Sequence, residues 1–158
     1  MKRIYGVVAL VVAALAAAAV AMAAQPPAKT MVAVLSADEE VPLCAAATNA
    51  SRGNLVAHVV DEATGTVEWK LVANNLPGTI VAAHIHRAVK GVAGGVVQPL
   101  PPTPGAENGV VGEGSFSNPA LLAAIRANPD GFYVNVHTTV CPRGAIRGQL
   151  GDHGPLNK

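Results

Sequence analysis

Aromatic side chains are scarce: two Phe, two Tyr and one Trp make up 3% of this 158-residue chain, so a core must be built mainly from Val, Ile, Leu and Ala. Charge is scarce too, at 13% with a formal net of +1, and no Lys/Arg cluster is interleaved with aromatics. The electrostatic footprint of a nucleic-acid binder is therefore missing. Gly-x-Ser-x-Gly, His-Glu-x-x-His, phosphate-loop and dinucleotide patterns are all absent, which argues against ordinary hydrolytic and nucleotide chemistry. Gly91, Gly94 and Gly95 have neither a following helix nor a lysine in place, so turn chemistry accounts for them. No repeat or low-complexity tract follows the first residues.

What is present begins with a targeting signal. Met1-Lys2-Arg3 is a positive start, Ile4 to Val20 is almost unbroken apolar sequence, and Ala21-Met22-Ala23 supplies the small residues of a cleavage site. Residues 1–23 read as a signal peptide and 24–30 as a disordered lead. The run is Ala-rich and followed at once by Gln25-Pro26-Pro27 without a stop-transfer cluster, so no stable membrane span is expected after its removal. Export to the periplasm or the extracellular space follows. About 135 residues then remain, enough for one domain over 31–151 with a polar tail at 152–158. Cys44 and Cys141 are the only cysteines, and in an oxidising compartment a disulfide between them is the default reading. A copper-binding thiolate pair is the alternative.

Short alternating segments dominate the rest. Met31–Leu35, Gly53–Val60, Thr66–Val72, Ile80–His86, Val96–Leu100, Val110–Phe116, Phe132–Thr138 and Ala145–Leu150 read as strands. The clearest has Val67, Trp69 and Leu71 facing in and Thr66, Glu68 and Lys70 facing out. Asn118 as cap and Pro119 in the first turn open one helix through Ala127, with Leu121, Leu122 and Ile125 as its apolar stripe. Seven or eight short strands with one brief helix indicate an all-β, Greek-key, immunoglobulin-like sandwich or barrel.

Candidate chemistry resides in the histidines. On a strand, His84 and His86 must share one face, leaving Val81, Ala83 and Ile85 on the other. Tyr133, Asn135 and His137 share a face of another strand, which could bring a third imidazole to the pair. Three imidazoles suit copper, with zinc second, and ordinary histidines would lose the metal to protons near pH 6.5. His58, in a Val-flanked strand, is a conceivable fourth ligand or simply structural. Asn135 could orient an imidazole or satisfy backbone groups. Asp38, Glu39 and Glu40 reach the histidines only if their segment folds over them, and surface solvation is the expected fate. Arg147 reads as a partner for a carboxylate.

Leu35-Ser36-Ala37-Asp38-Glu39-Glu40-Val41-Pro42, Ala82-Ala83-His84-Ile85-His86, Phe132 to Thr138 and Gly144-Ala145-Ile146-Arg147-Gly148-Gln149-Leu150 resemble, in order, the landmarks of the chordin-type (CHRD) domain family. That resemblance implies an exported, immunoglobulin-like β-barrel and leaves the function open. A more distant similarity links the histidine spacing and the cysteine pair to copper/zinc superoxide dismutases. It implies His84, His86 and His137 as copper ligands, with Arg143 or Arg147 drawing an anion to the metal. Residues 87–109 hold no histidine or aspartate, so the zinc ligands and bridging imidazole of those enzymes have no counterparts. The expectations are a copper-preferring binding module, a dismutase-like copper enzyme, or an extracellular interaction module without metal whose protein partner is unknown.

Overall fold

The structure, a computed structural model, describes residues 29–151. The leader, residues 24–28 of the lead and the tail from Asp152 lie outside it. Lys29 and Thr30, expected in the disordered lead, are already ordered. Val59 N–H donates to Lys29 O at 2.7 Å, and Thr30 opens the first strand.

Eight strands form, β1 (Thr30–Ser36), β2 (Arg52–Asp61), β3 (Thr66–Asn74), β4 (Ile80–Arg87), β5 (Gly95–Pro99), β6 (Gly109–Ser117), β7 (Phe132–Thr138) and β8 (Ile146–Gln149), with one helix, α1 (Pro119–Ala127), before β7. Their order in a single curled sheet is β5-β4-β7-β8-β1-β2-β3-β6, and every pairing is antiparallel. Neighbours in sequence pair as hairpins, but the chain jumps from β3 to β4, from β5 to β6 and from β6 to β7, which is the Greek-key habit. In the strand ladder the two halves pair only at Ser36 opposite Arg147. There the sheet bends into two layers with the apolar core between them.

Period-two patterning explains the first half. Met31, Ala33 and Leu35, Leu55, Ala57 and Val59, and Val67, Trp69, Leu71 and Ala73 all point inward and are buried, while their sequence neighbours face solvent. Trp69 lies across Gly112 and Gly114 of β6, where added side chains would crowd its ring. Asn118 Oδ1 accepts from Leu121 N–H at 3.0 Å and starts α1, whose Leu121, Leu122 and Ile125 cover one end of the core. No helix among the described residues is long and apolar enough to cross a membrane.

The second half departs from simple alternation, because β7 and β8 are buried along nearly their whole length. Their inner residues Val134, Val136 and Ile146 belong to the core. Their outer residues are covered by two connections, residues 37–51 between β1 and β2 and residues 88–94 between β4 and β5. The first is stapled down by the Cys44–Cys141 disulfide, which closes a separation of 97 residues. A register irregularity between Ile80 and Ala82 turns Val81 out to solvent. Val81 therefore does not join Ala83 and Ile85 in the core as simple alternation predicts, and Ile80 is buried instead.

Closing so long a loop restricts the unfolded chain. Replacing both cysteines by alanine is expected to lower the unfolding free energy by roughly 3–5 kcal/mol, read as a shift in urea midpoint. An unshifted midpoint would show that residues 37–51 hold their place without the staple.

Candidate metal centre

β4, β7 and β8 are paired so that their outward residues fall into rows. His84 stands opposite Asn135, His86 opposite Tyr133, and Ala82 opposite His137. β8 extends two of these rows with Arg147 beside Asn135 and Gln149 beside Tyr133. The pleat thus delivers three imidazoles to one outer face, as their positions predict. Their potential ligand atoms all lie within 4.8 Å of one another, and among the described residues they are the one such group.

Hydrogen bonds settle which nitrogen of two rings is available. His86 Nδ1 is 2.9 Å from Gly94 O and His137 Nδ1 is 3.1 Å from Pro142 O. A carbonyl oxygen only accepts, so both Nδ1 atoms carry hydrogen and both Nε2 atoms present lone pairs. His84 Nδ1–H donates to the His137 Nε2 lone pair at 3.0 Å, so an ion entering between them requires the His84 proton to shift to its own Nε2. Two nitrogens bound at about 2.0–2.1 Å to one tetrahedral ion stand roughly 3.3 Å apart, so this pair needs little adjustment to share a first shell. The donor set is His84 Nδ1, His86 Nε2 and His137 Nε2. His86 Nε2 is buried with no hydrogen-bond partner, a lone pair that fits a metal ion and that the protein itself leaves unanswered.

Burial keeps these rings neutral. Desolvation, aided by His86, lowers the pKa of His84, and desolvation also lowers that of His86 against hydrogen bonds that favour its charged form. His137 is pushed down to about 4, by desolvation first and then by His84. His86 stacks on Tyr133 with ring centroids 4.7 Å apart, and the Arg147 guanidinium carbon lies 3.5 Å from the centroid of the same Tyr133 ring.

A polar layer lies beside the rings. Asn135 Nδ2 donates to Glu40 Oε1 at 2.9 Å and to Arg143 O at 3.4 Å. Gly144 makes room for this pair: at φ +140° it sits where a Cβ would collide with both Asn135 Nδ2 and the Glu40 carboxylate. Glu40 is only 3% exposed. Its segment does fold over the histidine strands, so the expected solvation fails for Glu40 while Asp38 remains exposed. The cue available in the sequence was the spacing of the cysteines: Glu40 precedes Cys44 by the same four residues that separate His137 from Cys141, and the disulfide brings both segments together. Desolvation raises the Glu40 carboxyl to about 7, against the lowering effects of Asn135 and Arg147.

The landmark segments now occupy one continuous structure, and the family model described as the CHRD domain matches residues 31–150. The chain belongs to the CHRD domain family. No curated protein and no solved structure matches it, so the likeness to dismutases rests on the histidine and cysteine pattern alone.

The expectations for Arg147 and His58 in this CHRD domain need correction. Arg147 does not face arriving anions: it is 1% exposed and donates to Val92 O at 2.8 Å, Val89 O at 2.9 Å and Gln149 Oε1 at 2.9 Å. Nor does it pair directly with a carboxylate, since carbonyls satisfy it and Glu40 acts on it only through space. His58 belongs to the other half of the sheet, exposed on β2 with its Nδ1 3.2 Å from Thr30 Oγ1, and takes no part in the cluster. Arg143 is exposed, and anion steering by it is an expectation only.

Glu40 gives the stability a particular pH dependence. Its folded pKa lies above its ordinary one, so the folded state binds the extra proton, and stability from this group is complete below 4.5 and lost as pH rises through about 7. In metal-free protein, the unfolding free energy of wild type relative to Glu40→Gln should therefore fall by up to about 3 kcal/mol from acid to mildly alkaline pH. A difference independent of pH in urea titrations would return Glu40 to an ordinary carboxyl.

Proposed function

We propose that this domain is an exported metal-binding module that holds one transition-metal ion, copper in preference to zinc, through His84, His86 and His137. The observation that carries this reading is the convergence of three neutral imidazoles whose ligand atoms lie within 4.8 Å. Neutral rings need release no proton to ligate, and the carbonyls of Gly94 and Pro142 pre-set two tautomers. Among divalent ions an imidazole set binds Cu(II) more tightly than Zn(II). The disulfide supports an oxidising compartment, and the apolar leader of residues 1–23 supports export to the periplasm or beyond.

When bound, the ion would supply positive charge and Lewis acidity. The chain's own contribution is to hold the donors neutral, orient them and limit water. A dismutase reading gains nothing from Arg147, which is sealed beneath the β4–β5 connection.

Copper(II) titration of the purified protein should show one ion per chain, with His84→Ala weakening binding on the order of 100-fold or more. Equal uptake by wild type and variant would contradict the assignment. Three ordinary imidazoles would lose about 10,000-fold in affinity between about pH 7 and pH 5. Because all three rings are held below 6.5, the measured loss should be far smaller. A loss of the full size would mean that burial does not protect them.

A further inference from the structure

One buried atom beside the three rings has no use in the reading above. Asn135 is 2% exposed, and its Oδ1, like His86 Nε2, has no hydrogen-bond partner. The orientation of the amide is fixed from the other side. Nδ2 faces two acceptors, Glu40 Oε1 and Arg143 O, so the nitrogen must occupy that position and the oxygen must point away from it. Asn135 sits in the same row as His84 and, two residues before His137, on the same outward face of β7. His86 Nδ1 is committed to Gly94 O, which leaves Nε2 as the unanswered nitrogen of that ring. The outer face of β4 and β7 thus carries two buried lone pairs that no protein hydrogen meets, one on His86 and one on Asn135, an arrangement that a cation resolves.

The geometry points to Asn135 Oδ1 as a fourth donor that, together with His84, His86 and His137, closes the centre as three nitrogens and one oxygen. This rests on the three-histidine reading. Four protein donors leave a tetrahedral ion without the open position that catalytic sites keep, which makes the centre one that holds an ion rather than turns over substrate. An amide oxygen is also a harder donor than imidazole or sulfur, so the set suits Zn(II) and Cu(II) and disfavours Cu(I). Glu40 and Arg143 O then act as positioning groups, holding the amide with its oxygen toward the ion.

Affinity alone does not separate a ligand from a neighbour that orients ligands, because either loss weakens binding by about 10- to 100-fold. Access to the ion does separate them. The full protein is loaded with cobalt(II), its visible absorption is recorded, and sodium azide is added. Wild type should resist azide, whereas Asn135→Ala should place water on the ion and bind azide at least ~10-fold more tightly. Asn135→Asp retains an oxygen donor, now charged, and should retain the resistance with a changed cobalt spectrum. Identical spectra and azide affinities in wild type and Asn135→Ala would overturn the fourth donor and leave the three-histidine centre standing. If Asn135→Ala does not fold, an Asn135→Asp protein with unchanged cobalt affinity and spectrum overturns it equally. Failure of wild type to take up cobalt, copper or zinc would overturn both readings.

Discussion

A β-strand normally spends one face on the core and the other on water, and what sets this domain apart is that β7 and β8, His137 aside, give neither face to water. The outer faces lie under residues 37–51 and 88–94, and the chemistry of the histidines follows from that cover. Exposed imidazoles on a sheet would titrate near 6.5 and hydrogen-bond to water. Covered ones stay neutral, two of them take fixed tautomers from backbone carbonyls, and His86 keeps a lone pair with no protein donor to meet it. The disulfide is the anchor of the cover, because Cys141 follows the very strand that carries His137.

Arg147 has a larger part in this than a surface arginine could. Its guanidinium ties the carbonyls of Val89 and Val92 to β8, and Gln149 adds the carbonyl of Ala88. These bonds set the path of the connection that ends at Gly94, whose carbonyl fixes the His86 ring. Tyr133 completes the arrangement, with its ring against both His86 and Arg147 and its hydroxyl accepting from Gly94 N–H at 3.1 Å. A cation this deeply buried is tolerable because three acceptors and an aromatic face meet it.

Local rules carried the reading of the strands and of the three histidines. Alternation placed Val67, Trp69 and Leu71 inward, capping chemistry at Asn118 and Pro119 placed the helix, and period two put His84 with His86 and Tyr133 with Asn135 and His137. They failed where a second layer intervened. Charged residues ahead of Pro42 look solvated in isolation, and only the long-range staple at Cys44 shows that Glu40 is buried against Asn135. Likewise Arg147 in a short strand looks like a partner for substrate or carboxylate, because the carbonyls that satisfy it belong to residues 88–94, far away in sequence. The irregularity at Val81 depends on how β4 meets β7, which no single strand announces.

Which atoms touch the ion is read directly by X-ray absorption fine structure on the copper-loaded protein. Ligation by His84, His86 and His137 predicts a shell at about 2.0 Å that includes three nitrogen scatterers with the outer-shell pattern of imidazole rings. A shell of oxygen scatterers without that pattern would mean that the three histidines converge for structural reasons and hold no metal.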